Sequence, residues 1–278
     1  MTESIKKGLE GVLVAESSLS SIDGEAGELV YRGYSIEDLA QSSSYEEVLH
    51  LLWHGHLPEK KELTTFKRAM AEARALEAST HRLIEDLAAA DEEPMAALRS
   101  IVSALSATDP DADPDIDATD LEANLRKGRR ITAKLPTALA AFTRLRNGDD
   151  PVAPNQELDH AANFLYMLNG EKPDAVLAET FDIALVLHAD HGLNASTFAA
   201  MVTASTLADV HASVTSAVGA LSGSLHGGAN QNVMEMLKEV DATEKAPTEW
   251  LETAIENGRR IPGFGHRVYE VKDPRAYI

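Results

Sequence analysis

The chain has 278 residues, with 45 Asp and Glu against 25 Lys and Arg, a formal net charge of −20, 44% hydrophobic residues and no cysteine. That balance argues against DNA, RNA or an anionic membrane as partner, each of which needs clustered positive charge, and the missing cysteine excludes disulfides, thiol nucleophiles and thiolate metal sites. An acidic surface stays hydrated in concentrated salt, where like-charge repulsion is screened, so a halophilic source is expected.

The opening Met-Thr-Glu-Ser carries neither an apolar signal core nor an arginine-rich transit pattern. No apolar run is long enough to span a bilayer, so a cytoplasmic location is expected. Val12-Leu-Val14 and Leu29-Val-Tyr31, separated by Asp23-Gly24 and Gly27, read as a small hairpin. Ser35 then has N-cap chemistry, with Asp38 three residues on, and from there the pattern is helical nearly to the end. Helices are predicted over Ile36 to Gln41, Tyr45 to Trp53, Glu59 to Glu77, Thr80 to Ala89, Pro94 to Ala107 and Leu121 to Leu145. Further ones follow at Leu158 to Leu168, Pro173 to His191, Ala195 to Leu207 and Val210 to Leu221. Gly33, Gly55, Gly148 and Gly170 punctuate them, and Pro136 predicts a kink or break in the longest. The fold class is all-α with a short N-terminal β-hairpin, and no repeat of fixed period emerges.

Two charged stretches call for separate readings. Arg126, Lys127, Arg129 and Arg130 form a basic cluster, either a solvated or ion-paired helix face or a surface for an anionic ligand such as a CoA phosphate. Asp111, Asp113, Asp115 and Glu122 fit ligand positions of a calcium loop, but Ile116 stands where glycine is needed and Pro114 stiffens the middle, which favours a solvated acidic loop.

Chemistry concentrates near the end. Ser224-Leu-His-Gly-Gly-Ala-Asn-Gln231 places His226 beside glycines, and the spacing of Val233, Met236, Leu237 and Val240 predicts a helix beginning within Gly227 to Asn230. The partial positive charge at a helix N-terminus disfavours imidazolium and leaves a neutral donor; a plain helix-capping turn is the alternative. Ile261-Pro-Gly-Phe-Gly-His-Arg267 reads as a loop, since no helix runs through Ile261 to Gly265. Leu177, Phe181, Ala184, His188 and His191 fall on one face of the helix predicted over Pro173 to His191, with Gly192 ending it and Asn194-Ala-Ser196 opening the next.

Taken together, His188-Ala-Asp-His-Gly-Leu-Asn-Ala-Ser196, Leu225-His-Gly-Gly-Ala-Asn-Gln231, and Pro262-Gly-Phe-Gly-His-Arg-Val-Tyr269 with Asp273-Pro-Arg275 resemble the active-site motifs of citrate synthases and 2-methylcitrate synthases. Ile22-Asp-Gly-Glu-Ala-Gly-Glu-Leu-Val-Tyr-Arg-Gly-Tyr34 resembles the family's opening hairpin, so the likeness runs in order along the chain. It implies a two-domain helical fold, with 1–225 in the large domain and 226–278 beginning the small, CoA-contacting one, incomplete at the C-terminus. It also implies a homodimer with no tightly bound cofactor, no metal, and acetyl-CoA and oxaloacetate as substrates.

Carried over residue by residue, the resemblance gives His226 the acetyl thioester oxygen and His266 the oxaloacetate carbonyl. His191 and Arg275 would hold oxaloacetate, and Asn194 would help to shape its pocket. Arg260, Ile261, Pro262, Gly263 and Phe264 would contact CoA, chiefly through the backbone. His188 reads as a neighbour of that set or as a buried core histidine. The family's catalytic aspartate and two further arginines are expected beyond the position matching Ile278, which implies either part of a longer enzyme or a chain without its base. The rival readings are 2-methylcitrate synthase acting on propionyl-CoA, a metalloprotein using His188, His191, His226 and His266, and a non-catalytic relative.

Overall fold

In the computed structural model, which describes residues 14–278 except 114, 244 and 267, the first element is a three-stranded antiparallel sheet. Strands β1 (Ser20–Asp23), β2 (Glu28–Tyr31) and β3 (Tyr34–Ser35) pair in sequence order, with Ile22 opposite Leu29 and Val30 opposite Ser35. The partner of Leu29–Tyr31 is thus Ser20–Asp23 and not the predicted Val12–Val14: positions 12 and 13 lie outside the described residues, and Val14 is exposed and outside any strand. The apolar signal of β1 is thin because Ile22 is its one large apolar residue, packed with Leu29, Tyr31, Ile36 and Leu39 in one core cluster, while Ser20 beside it on that face bonds Asp190.

Helices follow. They are α1 (Ile36–Ser42), α2 (Tyr45–His54), α3 (Lys60–Glu72), α4 (Ala78–Ala89), α5 (Pro94–Leu105), α6 (Leu121–Arg146), α7 (His160–Asn169), α8 (Ala175–Leu187), α9 (Ala195–Ala204), α10 (Val210–Leu221), α11 (Gly228–Asp241) and α12 (Pro247–Glu256). Ser35 and Asp38 close the start of α1, and Ser44 and Glu47 form a reciprocal capping box on α2. Gly55 and Gly170 end α2 and α7 in the left-handed region, at φ 87° and 82°, where any side chain would be strained.

The helices depart from expectation at α3, α6 and α12, and at the end of α8. α3 stops at Glu72, short of the predicted Glu77, because the chain beyond it is held by two buried cations. Arg74, 2% exposed, donates from Nη1 to the carbonyls of Asn155 and Leu158 at 2.7 and 2.8 Å, and Lys134 of α6 donates to the Ala75 carbonyl at 2.7 Å. α6 runs unbroken through Pro136; Ala133, Ala138, Ala140, Ala141 and Phe142 are buried on it, and its packing against α4, α5 and α7 outweighs the one lost backbone bond. Helix α12 has no counterpart in the predicted set. Its apolar side is short, yet Trp250 and Ala254 pack on Met236 of α11 in a core cluster of their own.

Of the four basic residues on α6, Arg126 and Arg130 are ion-paired to the segment before the helix. Arg126 grips Asp111 through Nε (3.0 Å) and Nη2 (2.6 Å), and Arg130 grips Asp109 through Nε (2.8 Å) and reaches Asp111. His211 of α10 faces Asp109 at 3.4 Å. The Asp111 carboxylate that the calcium reading required is thereby occupied by guanidinium, and the cluster is a buried network tying the segment before α6 to α6 and α10.

Candidate active site

The segment from His188 to Ser196 is the hub of the site. The helix predicted to continue to His191 ends at Leu187, because the N-terminal sheet captures the chain beyond it. Tyr31 Oη donates to the Asp190 carbonyl at 2.6 Å and accepts from the Asp190 amide at 3.2 Å. The Asp190 carboxylate accepts from the Gly192 amide at 2.9 Å and from the Ser20 hydroxyl. Burial pushes the Tyr31 phenol up to about 12, which keeps it a hydrogen-bond donor at any working pH.

His188 and His191 therefore do not share a helix face. His188 is the C-cap of α8, exposed, with Nδ1 donating to the Ala184 carbonyl at 2.6 Å, so it is not a buried core histidine. His191 lies in the loop, half-buried, and meets the C-terminal segment. Its Nε2 is 3.2 Å from the hydroxyl of Tyr269, and its ring stands edge-on to that of His266 with centroids 5.2 Å apart. Burial, then the positive charge of Arg275 and the neighbouring His266, hold His191 down to about 4, so it is neutral at pH 7.

His266 is fixed by its own backbone. The amides of Val268 and Tyr269 donate to its Nδ1 at 3.0 and 3.3 Å, which leaves the ring proton on Nε2. Burial lowers its pKa as well, so the ring presents a neutral N–H donor. Asp273 and Arg275 form a two-pronged pair through Nε (3.0 Å) and Nη2 (2.6 Å), leaving Nη1 outside it. Burial alone would raise the Asp273 carboxyl, but the Arg275 bonds outweigh it and hold the acid below its usual range.

This loop is pinned to the N-terminal sheet. The Glu270 amide donates to the Gly24 carbonyl at 2.9 Å, and a Cβ at Gly24 would lie 2.0 Å from the Val268 carbonyl oxygen, so only glycine permits the approach.

His226 sits just before α11, whose start at Gly228 falls within the predicted Gly227 to Asn230, and its Nε2 is 2.7 Å from the hydroxyl of Ser196. The turn that carries it depends on Gly227, where a Cβ would come within 2.3 Å of the Leu221 carbonyl oxygen. Asn194 is spent on local structure: its side-chain oxygen caps α9 by accepting from the amides of Ser196 and Thr197 at 2.9 and 3.0 Å. It thereby sets the position of Ser196. This cap holds the residue that meets His226.

The Arg260-to-Phe264 segment is a loop, as predicted. Ile261 packs on the α11–α12 cluster, and Gly263 (φ 87°) lies against Val233. Arg260 is exposed and Phe264 is 72% exposed, so the loop offers backbone and an open ring to a ligand.

The structure thus brings His191, His266 and Arg275 together around Tyr269, and tethers His226 to the same hub through Ser196. Tyr31, Ser196 and Tyr269 were not assigned roles from sequence, although all three stand inside the quoted motifs. The four histidines of the metalloprotein reading do not form a ligand set, since His188 is turned to Ala184 and His226 to Ser196. What remains is the pair of neutral imidazoles of His191 and His266 beside the Arg275 guanidinium, an arrangement suited to carbonyl and carboxylate oxygens.

Comparison with known proteins agrees. Residues 8–278 match the family described as "Citrate synthase, C-terminal domain". A citrate synthase of Haloferax volcanii is 64% identical over 278 residues, covering 100% of this chain and 73% of the relative. A 2-methylcitrate synthase of Mycobacterium tuberculosis is 42% identical, covering 98% and 67%. A crystal structure of Thermoplasma acidophilum citrate synthase in ternary complex with carboxymethyl coenzyme A and oxaloacetate superposes with a TM-score of 0.88 at 30% identity, covering 99% of this chain and 71% of that one.

Proposed function

The chain belongs to the citrate synthase family, and from that premise we propose how its residues perform the condensation of acetyl-CoA with oxaloacetate to citrate and CoA. The reaction removes a proton from the thioester methyl, joins that carbon to the ketone carbon, and hydrolyses the thioester. Each carbon–oxygen group that gains negative charge needs a fixed donor.

His226 serves the thioester oxygen. With the Ser196 hydroxyl donating to Nε2, the ring proton sits on Nδ1 and is free to meet that oxygen as it becomes enolic. His266, with Nδ1 filled by two backbone amides, offers Nε2–H to the ketone oxygen of oxaloacetate as it becomes an alkoxide. Neutral His191 and the free Nη1 edge of Arg275 hold the oxaloacetate, and the Arg260-to-Phe264 loop receives CoA through its backbone. Asp273 is unsuited as the base because Arg275 engages both its oxygens and, by lowering its pKa, weakens it as a proton acceptor. The observation that carries this reading is the His266 tautomer, fixed by backbone rather than by a movable side chain.

Several coarser features accompany the reading. Residues 226–278 begin a second domain, supported by the separate core of α11 and α12. A homodimer is supported by apolar side chains left open on and after α8 and α9, Val176 at 73%, Val202 at 51% and Leu207 at 66% exposed. Sedimentation equilibrium will then report twice the chain mass, and a monomer at micromolar concentration overturns the dimer.

The activity is tested on a protein spanning the full length of the relatives, of which this chain covers 73% in the Haloferax volcanii enzyme, by release of CoA thiol in dilute buffer and in molar KCl, with acetyl-CoA and propionyl-CoA compared. We expect acetyl-CoA to be preferred and activity to rise with salt, in line with the net charge of −20 and a cytoplasm of high salt. One methylene is worth about 1–3 kcal/mol in a pocket. A preference for propionyl-CoA by that margin makes the enzyme a 2-methylcitrate synthase, and no thiol release from either refutes the catalytic reading.

A further inference from the structure

Away from the active site, the end of α2 and the start of α3 bring a second group of chemistry-bearing side chains together. Among the described residues, the group of three metal-capable side chains whose ligand atoms lie within 4.8 Å of one another is His50, His56 and Glu62. We propose that these three residues form a binding site for a borderline divalent transition-metal ion, of which Zn2+ is the best fit.

The backbone places the three. His50 is on the last turns of α2, Gly55 reverses the chain in the left-handed region at φ 87°, and His56 is thereby folded back over the helix it has just left. Glu62 stands in the first turn of α3, three residues after the N-cap Glu59.

In each ligand one atom is held by backbone and the other faces the cluster, where His56 Nε2 and Glu62 Oε1 meet only in a long 3.5 Å contact that a metal ion would replace. His50 Nδ1 lies 3.0 Å from the His56 carbonyl and His56 Nδ1 lies 3.3 Å from the His54 carbonyl. A carbonyl oxygen only accepts, so His50 carries its proton on Nδ1 and keeps the Nε2 lone pair for a ligand. The shorter of the two His56 contacts, Nδ1 to the His54 carbonyl, lets His56 do the same once a metal displaces the 3.5 Å contact of Nε2 with Glu62. Glu62 Oε2 accepts from the Glu59 amide at 2.8 Å, leaving Oε1. Orientation of metal ligands by such outer bonds is what raises their basicity and fixes their rings.

Spacing agrees with the ion. Zinc bonds of about 2.0–2.2 Å to nitrogen and oxygen imply a tetrahedral edge of about 3.4 Å. His56 Nε2 and Glu62 Oε1 are already 3.5 Å apart. His50 is 6% exposed and braced edge-on against Phe66 at 5.5 Å between centroids, whereas the side chains of His56 and Glu62 are 56% and 45% exposed and free to close the remaining distance. Two imidazoles and one carboxylate select zinc, cobalt, nickel or copper over calcium or magnesium, which take oxygen ligands.

The test uses Co2+ as probe on the enzyme after EDTA dialysis. The visible ligand-field absorption of four-coordinate cobalt should appear with one ion per chain and be displaced by Zn2+. His56→Ala and Glu62→Gln, both at exposed positions that spare the core, should each weaken Co2+ binding at least about tenfold. His81→Ala, on a different helix, should leave it unchanged. The proposal is overturned if the unmodified enzyme shows no such absorption, or if both site variants bind Co2+ as tightly as it does.

Discussion

Replacing His226 by alanine should lower kcat about 10²–10³-fold, the usual cost of losing one donor aimed at a developing oxyanion, with little change in the KM for acetyl-CoA. The side chain makes a single hydrogen bond, to Ser196, and sits half-buried before α11, so its removal leaves the fold intact. Ser196→Ala isolates the orienting bond. It should cost only about 3- to 10-fold in kcat, the equivalent of one ordinary hydrogen bond of about 0.5–1.5 kcal/mol, because the ring remains but loses its fixed tautomer. Steady-state kinetics with circular dichroism as a fold control separates the two. If His226→Ala keeps kcat within tenfold of the unmodified enzyme, the histidine is a turn residue and the thioester donor lies elsewhere.

The contrast between these residues also shows what the sequence could reveal. His226 and His266 were legible because glycines flank them; Gly227 and Gly263 are forced by close backbone approach and positive φ, which are local matters. The helices announced themselves through caps and period, and Ser35, Ser44 and Gly55 do in the structure what their residue types imply. Effects that cross the chain were hidden. Nothing near Leu187 says that α8 must stop, because the cause is Tyr31, which binds Asp190 from far away in sequence. Arg74 and Lys134 end α3 in the same fashion. Strand β1 was missed for a different reason: four residues with a polar serine on the inward face beside a single Ile22 carry too weak an alternation to compete with Val12-Leu-Val14.

The largest effect on stability is expected at Arg130. Its guanidinium bonds Asp109, whose side chain is 4% exposed, and Asp111, at 12%. Arg130→Met would leave Asp109 buried with only the Asp111 amide at 2.8 Å and His211 at 3.4 Å, and breaking one partner of a buried pair costs about 3–5 kcal/mol. The double variant Arg130→Met with Asp109→Asn should recover part of that loss, since no buried charge is then orphaned.

The pH dependence follows from the sign of the shifts. Burial would raise Asp109, but Arg130 outweighs it, and Arg126 and Arg130 together hold Asp111 well below the carboxylate range. Groups depressed in the folded state contribute stability that is present above the unfolded value of about 3.9 and is lost as pH falls through the folded one. The unmodified enzyme should therefore lose this contribution below about pH 4, whereas the variant has already lost it, and the gap between their unfolding midpoints in urea should narrow with acid. Buried pairs are screened less than exposed ones, so the gap at pH 7 should persist in molar KCl. A deficit below about 1 kcal/mol at pH 7 would place the network among ordinary surface ion pairs and remove it as the tie between α6 and α10.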